Sequence, residues 1–316
     1  MKVLITTVLL AVLIYNSRNE SIMELIYNVN IVYFILACSS FILGIMLNTI
    51  RLQYLFNREY STISFGKLLK INFIGLFFSI FLPGRTVGDF IRGYYLSKFI
   101  KPLDVTVSNL LIWRLIGIFA MIFIACNASI ISYPILGEFS LIYYSIGTLI
   151  IFMAALFILL NHAFLKRIYQ YSLMQKFVHK ELARTLEKIL KSLNMFRNYK
   201  QLISKNILLS LISNSFILLT WFLLSCSINA KISIIYFFIF IPLVSLLQAI
   251  PISFNGIGVR EGTTVLFFSS VGISIKMPLT IAMLFSTLSI LVSLFGGIIY
   301  LFYKSEVPQT IQAKSY

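Results

Sequence analysis

Long apolar runs separated by short polar segments set the pattern of this 316-residue chain. An α-helix needs roughly 20 apolar residues to cross the hydrocarbon core of a bilayer. Five runs reach that length, namely 31–50, 115–137, 139–165, 206–230 and 277–303. A shorter run, 3–16, is not followed by the small-residue cleavage site of a signal peptide, so we expect it to remain as a first spanning helix. The pattern predicts about six spanning helices.

Two other apolar stretches are broken by Pro, Gly and charge. The first break, 83–92, reads PGRTVGDFIR, and the second, 251–261, reads PISFNGIGVRE. Both contain Pro-x4-Gly-x3-Arg, 168 residues apart, with an acid beside the Gly or the Arg. Pro and Gly interrupt helices, and charges are costly inside a bilayer. Duplicated breaks of this kind are typical of a transporter-like binding site between two repeats.

Composition and charge support a membrane protein. The chain is 59% hydrophobic and 11% charged, against roughly a quarter charged residues in soluble domains. Segment 166–205 carries ten Lys and Arg against two Glu, so its net charge is 10 − 2 = +8, half of the +16 of the whole chain. The positive-inside rule therefore predicts a cell-membrane protein whose basic loops, 51–70 and 161–205, lie in the cytoplasm with the C-terminal tail. Because topology accounts for the basic charge, no nucleic-acid partner is expected.

The predicted orientation gives the two broken stretches opposite topologies. Stretch 66–104 must begin and end inside, and stretch 232–275 must begin and end outside. The uncharged parts 71–84 and 262–275 are only 14 residues each, which is short for a span. We therefore expect two re-entrant hairpins that enter from opposite faces, as in an inverted repeat. Run 232–250 is long enough for a full crossing, so parity leaves that alternative open.

The predicted fold is all-α: a polytopic integral membrane protein with two inverted-topology hairpins and about six spanning helices. Residues 1–316 form a single membrane domain. Its parts are a first repeat at about 29–160 with hairpin 66–104, a basic amphipathic cytoplasmic segment at 161–205, and a second repeat at about 206–303 with hairpin 232–275. The basic segment has two interpretations: a solvated connector whose charges fix topology, or an interfacial helix that gathers anionic lipid.

The broken stretches are where we expect an anion to bind. Half-helices that begin near Gly88 and Gly258 present free N–H groups, and glycines there permit positive φ and close backbone approach. Four arginines and two acids leave a charge of +2, which matches one phosphate, and the planar Arg fork binds phosphate well. The candidate residues for substrate binding or gating are Arg85, Gly88, Asp89, Arg92, Arg114, Gly256, Gly258, Arg260 and Glu261, with Pro83 and Pro251 as helix breaks.

A purely structural role for the same charges is the alternative. Asp89 and Arg92 are spaced i,i+3 and can neutralise each other on one helix. Arg260 and Glu261 are adjacent, so we expect them to pair across the hairpins rather than with one another. Such buried pairs would lock the fold, and they would also serve as a gate that a phosphate opens. The cysteines form no metal-ligand spacing and the histidines lie far from any carboxylate cluster, so no metal, cofactor or catalytic residue is predicted.

The two motifs resemble the lysylphosphatidylglycerol synthase transmembrane region, also called the flippase-like domain family. Pro-x-Arg-x-x-Gly-Asp-x-x-Arg at 83–92 matches its first motif, and Asn-Gly-Ile-Gly-Val-Arg-Glu-Gly at 255–262 matches its second, more specific one. The resemblance covers about 5–303 and adds Asn255 to the candidate residues. Two positions depart from the family: a common Glu-Arg pair reads Trp113-Arg114, and an Arg often found in the last helix is replaced near Ser286.

The resemblance implies a lipid transporter. The family includes the membrane half of the multiple peptide resistance factor, which is implicated in moving aminoacylated phosphatidylglycerol between leaflets. The aminoacyl-transferase domain is absent from this sequence, so we do not expect it to make lysyl lipid, and we expect no enzyme activity. The implied partner is an anionic lipid, either of the phosphatidylglycerol type or a polyprenyl phosphate. A second copy of the chain or a partner synthase fits as a protein partner.

An accessory membrane protein or enzyme of cell-surface glycan or lipid-linked sugar assembly is the second hypothesis. Such an enzyme would need an aspartate-rich, metal-binding nucleotide-sugar site. The basic segment 161–205 contains no Asp. The sequence therefore favours transport over sugar transfer.

Overall fold

The computed structural model describes residues 22–57, 63–81, 87–99, 103–136, 147, 200–248 and 256–303. All regular structure in these residues is helical, which confirms the predicted all-α class. In chain order the helices are α1 (Ile22–Tyr27), α2 (Ile31–Asn57), α3 (Phe65–Phe81), α4 (Val87–Ser97), α5 (Leu103–Leu136), α6 (Lys200–Ser227), α7 (Ile234–Leu247), α8 (Val259–Ser269) and α9 (Lys276–Phe302).

Four helices in the described part of the chain are long and apolar enough to cross a membrane. They contain the candidate spans Ile31–Phe56, Asn109–Ser132, Gln201–Ser227 and Lys276–Phe302. Long apolar helices are thus confirmed at four of the predicted spans, with bounds that differ by several residues. The predicted spans at 3–16 and 139–165, and most of the basic segment 161–205, lie outside the described residues. The division of the chain into two repeats remains a prediction.

Helices α2 and α6 form a long antiparallel pair through the middle of the bundle. The backbone N–H of Asn30 donates to Ser227 O (2.7 Å), Ser40 Oγ donates to Phe216 O (2.8 Å), and Asn206 Nδ2 donates to Arg51 O (2.9 Å). As the residue number rises along α2, the number of its partner on α6 falls, so the two helices run in opposite directions. We call the end with the C-terminus of α2 the lower end and the end with its N-terminus the upper end.

Helices α3 and α4 are short and also pack antiparallel. A Cβ added at Gly88 would overlap Ser79 Oγ and Gly75 O, and one added at Gly75 would lie 2.6 Å from Arg92 Cγ. Later residues of α4 thus contact earlier residues of α3, as expected for an antiparallel pair. Gly88 thus provides the close approach that was predicted, although Gly88 is not among the glycines with positive φ.

Helices α7 and α8 repeat this arrangement with aromatic side chains. Phe237 and Phe240 pack on Phe268 with ring centroids 5.0 and 5.2 Å apart, and Phe240 stacks on Phe267 at 5.7 Å. Before α8 begins, a Cβ at Gly256 would lie 3.1 Å from Gln248 Cγ at the end of α7. These contacts also describe an antiparallel pair. These helices have 14 and 11 residues, fewer than the roughly 20 that a full crossing needs.

One sequence-based boundary was wrong. The segment 51–70 was predicted as a basic cytoplasmic loop, but α2 continues to Asn57 and α3 begins at Phe65. Leu52, Leu55 and Phe56 are fully buried and continue the helical spacing of apolar residues beyond Arg51. The helix therefore extends past its first charge because its buried face continues.

Candidate functional site

The first broken stretch leads into a cluster of one acid and two arginines. Asp89 lies in the first turn of α4, where Arg92 Nη1 donates to Asp89 Oδ1 at 2.5 Å. Arg114 Nη1, from α5, donates to Asp89 Oδ2 at 2.9 Å. The pairing of Asp89 with Arg92, predicted from their spacing, is confirmed. The three side chains sum to +1, so within the described part of the chain this cluster has one positive charge without an acidic partner.

Arg92 is held in place by small and aromatic neighbours. Its side chain lies against the bare backbone of Gly75, where a Cβ would come within 2.7 Å of Arg92 Nε. The guanidinium lies 5.7 Å from the centre of the Trp113 ring. Arg92 Nε is buried and has no hydrogen-bond partner among the described residues. An unmade hydrogen bond from a buried charged group is costly, so an acceptor that reached this N–H would be held favourably.

Arg51 is a buried cation beside this cluster that the sequence did not single out as a site residue. It is 2% exposed, and its guanidinium carbon lies 5.6 Å from the centre of the Trp113 ring. Nη1 donates to Asn48 Oδ1 (2.8 Å), Nη2 to Trp113 O (2.9 Å) and Nε to Asn206 Oδ1 (3.4 Å). In the described part of the chain its partners are neutral oxygens, so the charge of Arg51 adds to that of the first cluster. Trp113 thus lies beside two arginines.

The second broken stretch leads into a neutral cluster at the start of α8. Gly256 and Gly258 have φ of 76° and 84°, the left-handed values that glycine was predicted to provide. Glu261 Oε2 accepts a hydrogen bond from the Gly258 N–H at 2.6 Å, which satisfies a free donor at the helix start. Arg260 Nε donates to Glu261 Oε1 at 3.3 Å. Arg260 and Glu261 are 3% and 1% exposed, so the pair is buried.

Arg260 and Glu261 were expected not to face one another, but they form an ion pair, so that expectation was wrong. Their predicted pairing across the hairpins stays a prediction, because Arg85 lies outside the described residues. Among the described residues each is the other's ion-pair partner, because Glu261 folds back to cap the helix while Arg260 lies 5.4 Å from the centre of the Phe285 ring. Ser286 on α9 completes the cluster. Its hydroxyl accepts from Arg260 Nη2 at 2.5 Å and contacts Glu261 Oε1 and Ala282 O. The position noted as a departure from the family thus contacts both charges.

The two clusters lie at different levels of the bundle. Ser286 of α9 marks the second, whereas Gly296 of α9 lies against the backbone of Phe73, close to Gly75 in the first. Ten residues of helix correspond to about 15 Å. Ion pairs in the described part of the chain remain within each cluster. The structure thus brings Asp89, Arg92 and Arg114 together and, separately, Arg260 and Glu261. Outside the described residues lie Pro83, Arg85, Pro251 and Asn255.

These observations define an all-α integral membrane protein that buries charged clusters at the starts of two short helices. Residues 1–297 match the sequence pattern of the lysylphosphatidylglycerol synthase TM region, and the chain belongs to that family. No curated protein and no solved structure matches the chain. The suspected family is therefore confirmed, and with it a location in the membrane. Membership suggests a membrane lipid-related function.

Proposed function

We propose that the protein is a flippase-like transporter that moves an anionic phospholipid or a polyprenyl-phosphate-linked lipid between leaflets. The carrying observation is the positive cluster in which Arg92 and Arg114 share one carboxylate, Asp89, with Arg51 beside them. A charge left over inside a membrane protein is costly unless a counter-ion reaches it. Arg114 is 25% exposed, so a lipid phosphate can contact its guanidinium from outside the bundle.

The proposed path runs between two hairpins that enter from opposite faces. Support comes from the core clusters at the two ends of the bundle. Ile63, just before α3, and Leu96, near the end of α4, both pack in the lower cluster with Leu55. Ile232, just before α7, and Phe268, near the end of α8, both pack in the upper cluster with Phe237. A re-entrant hairpin has both of its ends on one face, and these contacts support that arrangement for each pair of short helices.

The contacts of α9 indicate how deep in the membrane the second break would lie. Ser286, which contacts Arg260, is the eleventh residue of this 27-residue helix. The break before α8 is therefore near mid-depth if α9 spans the membrane. Non-helical backbone at that depth is tolerated only where it faces protein or a watery cavity. We propose that the neutral Arg260–Glu261 pair acts there as a gate, and that the lower end of the bundle faces the cytoplasm, as the basic residues favour.

Transport is tested by removing one of the four candidate arginines with the substitution Arg114→Gln. This change leaves the Asp89–Arg92 pair intact, and it removes the most accessible cation of the cluster. In liposomes that contain a dye-labelled phosphatidylglycerol, we expect the variant to exchange this lipid between leaflets about tenfold more slowly than wild type. Chemical quenching of the dye in the outer leaflet measures the rate.

Lys276→Gln is the matched control, because it removes one half-buried positive charge at the first residue of α9, away from the cluster. It should exchange lipid at the wild-type rate. If wild type moves dye-labelled phosphatidylglycerol and a polyprenyl phosphate no faster than protein-free liposomes do, the transport proposal is wrong. An accessory role in glycan assembly would then be the better hypothesis.

A further inference from the structure

A second positively charged feature lies at the lower end of the bundle, apart from the two clusters. It is a cleft of about 520 Å³ between the start of α3, the second residue after α4 and the end of α9. The described residues that line it are Lys67, Lys70, Phe99, Ile298, Ile299, Phe302 and Tyr303. The cleft thus combines two cations with an apolar and aromatic wall. None of these residues contributes to either charged cluster.

The two lysines are placed where helix stability does not require them. Lys67 and Lys70 lie in the first two turns of α3, whose first turn contains no acid. The positive end of the helix dipole disfavours cations there, and it favours an anion. Both lysines are exposed, and Lys67 Nζ lies 5.6 Å from the centre of the Phe99 ring. Among the described lining residues no carboxylate neutralises them.

The apolar wall continues onto a lipid-facing surface. Ile298 and Phe302 are 54% and 82% exposed at the end of a helix that is apolar enough to span the membrane. Behind them, Gly296 and Gly297 let α9 approach Phe73 and Phe77 of α3 closely. The two helices are therefore tightly packed beneath the cleft. Aliphatic and aromatic residues beside lysines at a membrane boundary suit a molecule with an anionic head and apolar tails.

We propose that this cleft binds the phosphate headgroup of an anionic membrane phospholipid, with its acyl chains along the outer face of α9. The charge of +2 on the lysines attracts the headgroup, and Ile298 and Phe302 contact the first carbons of the chains. The occupant is a lipid rather than free phosphate, because five of the seven lining residues are aliphatic or aromatic and the cleft opens toward the hydrocarbon. This site is separate from the proposed transport site and does not depend on it.

The test uses a tryptophan reporter in the cleft. Phe302→Trp replaces an exposed aromatic residue by another one, and bromine on lipid acyl chains quenches the emission of the new indole by contact. The quenching of the unsubstituted protein, which contains Trp113 and Trp221, is measured in the same vesicles and subtracted. Full-length protein is placed in phosphatidylcholine vesicles that contain either brominated phosphatidylglycerol or brominated phosphatidylcholine at equal fractions. We expect stronger quenching by the anionic lipid. Lys67→Gln and Lys70→Gln should each lower the affinity for phosphatidylglycerol relative to phosphatidylcholine about fivefold.

Lys231→Gln with Lys276→Gln, at the upper end, is the control with the same loss of charge, and it should keep the lipid preference. Lys67→Arg with Lys70→Arg should also keep it, which separates loss of charge from loss of folding. Equal quenching by the two brominated lipids in the reporter protein would overturn the proposal. So would full competition by inorganic phosphate, which would indicate a simple anion site.

Discussion

Replacing Arg260 by Met is expected to lower the free energy of unfolding by about 3–5 kcal/mol. The reason is the environment of Glu261, which is 1% exposed and has Arg260 as its ion-pair partner. Without that cation, a carboxylate stays buried where water cannot solvate it. Equilibrium unfolding in mixed micelles, followed by the loss of helical circular dichroism, measures the change.

Two further variants show whether burial of the unpaired acid causes the loss. Arg260→Met combined with Glu261→Gln removes both charges and should recover most of the stability, since a neutral amide needs no cation. Arg114→Met is the matched single change in the more accessible cluster. There Asp89 keeps Arg92, so we expect a loss of only about 1 kcal/mol. Equal losses for Arg260→Met and Arg114→Met would contradict the argument.

The same double variant separates the two roles considered for the second cluster. If Arg260 and Glu261 only lock the fold, the neutral pair restores both stability and lipid exchange. If they form a gate that a lipid phosphate opens, stability returns while exchange remains altered. Stability and transport together therefore decide between a lock and a gate, which neither measurement does alone.

The spacing of residues was sufficient to predict the four long helices, the starts of two short ones and one ion pair. Uninterrupted apolar runs longer than a bilayer leave few alternatives to spanning helices, so α2, α5, α6 and α9 were predictable. The starts of α4 and α8 follow from Gly88 and Gly258 and from the charged residues that follow them closely. The i,i+3 spacing of Asp89 and Arg92 places both on one face of a helix, which makes their pairing local.

The remaining partners depend on tertiary contacts that spacing does not encode. Arg51 stands at the end of an apolar run and resembles an interfacial cation, yet Asn206, 155 residues away, and Trp113 enclose it. Glu261 turns back to the Gly258 N–H, a choice that a helical wheel does not show. Ser286 was noted only as a departure from a family pattern. Its contact with Arg260 and Glu261 requires the packing of α8 on α9.

The close packing of α3 on α4 leads to the second large expected effect, that of Gly88→Ala. A Cβ there would overlap both Ser79 Oγ and Gly75 O, and the carbonyl belongs to the backbone, which cannot swing aside as a flexible side chain can. We expect the free energy of unfolding to fall by about 3 kcal/mol, since the helices must separate to accept the methyl group. The same unfolding measurement in micelles reports the loss.

Gly262→Ala is the control, because Gly262 lies within α8 and a Cβ there would meet no atom within 4 Å. Alanine is the better helix former, so this variant should be as stable as wild type or up to about 1 kcal/mol more stable. A Gly88→Ala variant as stable as Gly262→Ala would mean that α3 and α4 do not approach at Gly75. In that case Arg92, which lies against Gly75, would not be held beside Asp89 and Trp113 as described. The stability of Gly88→Ala therefore tests the backbone geometry on which the positive cluster, and with it the proposed phosphate contact, depends.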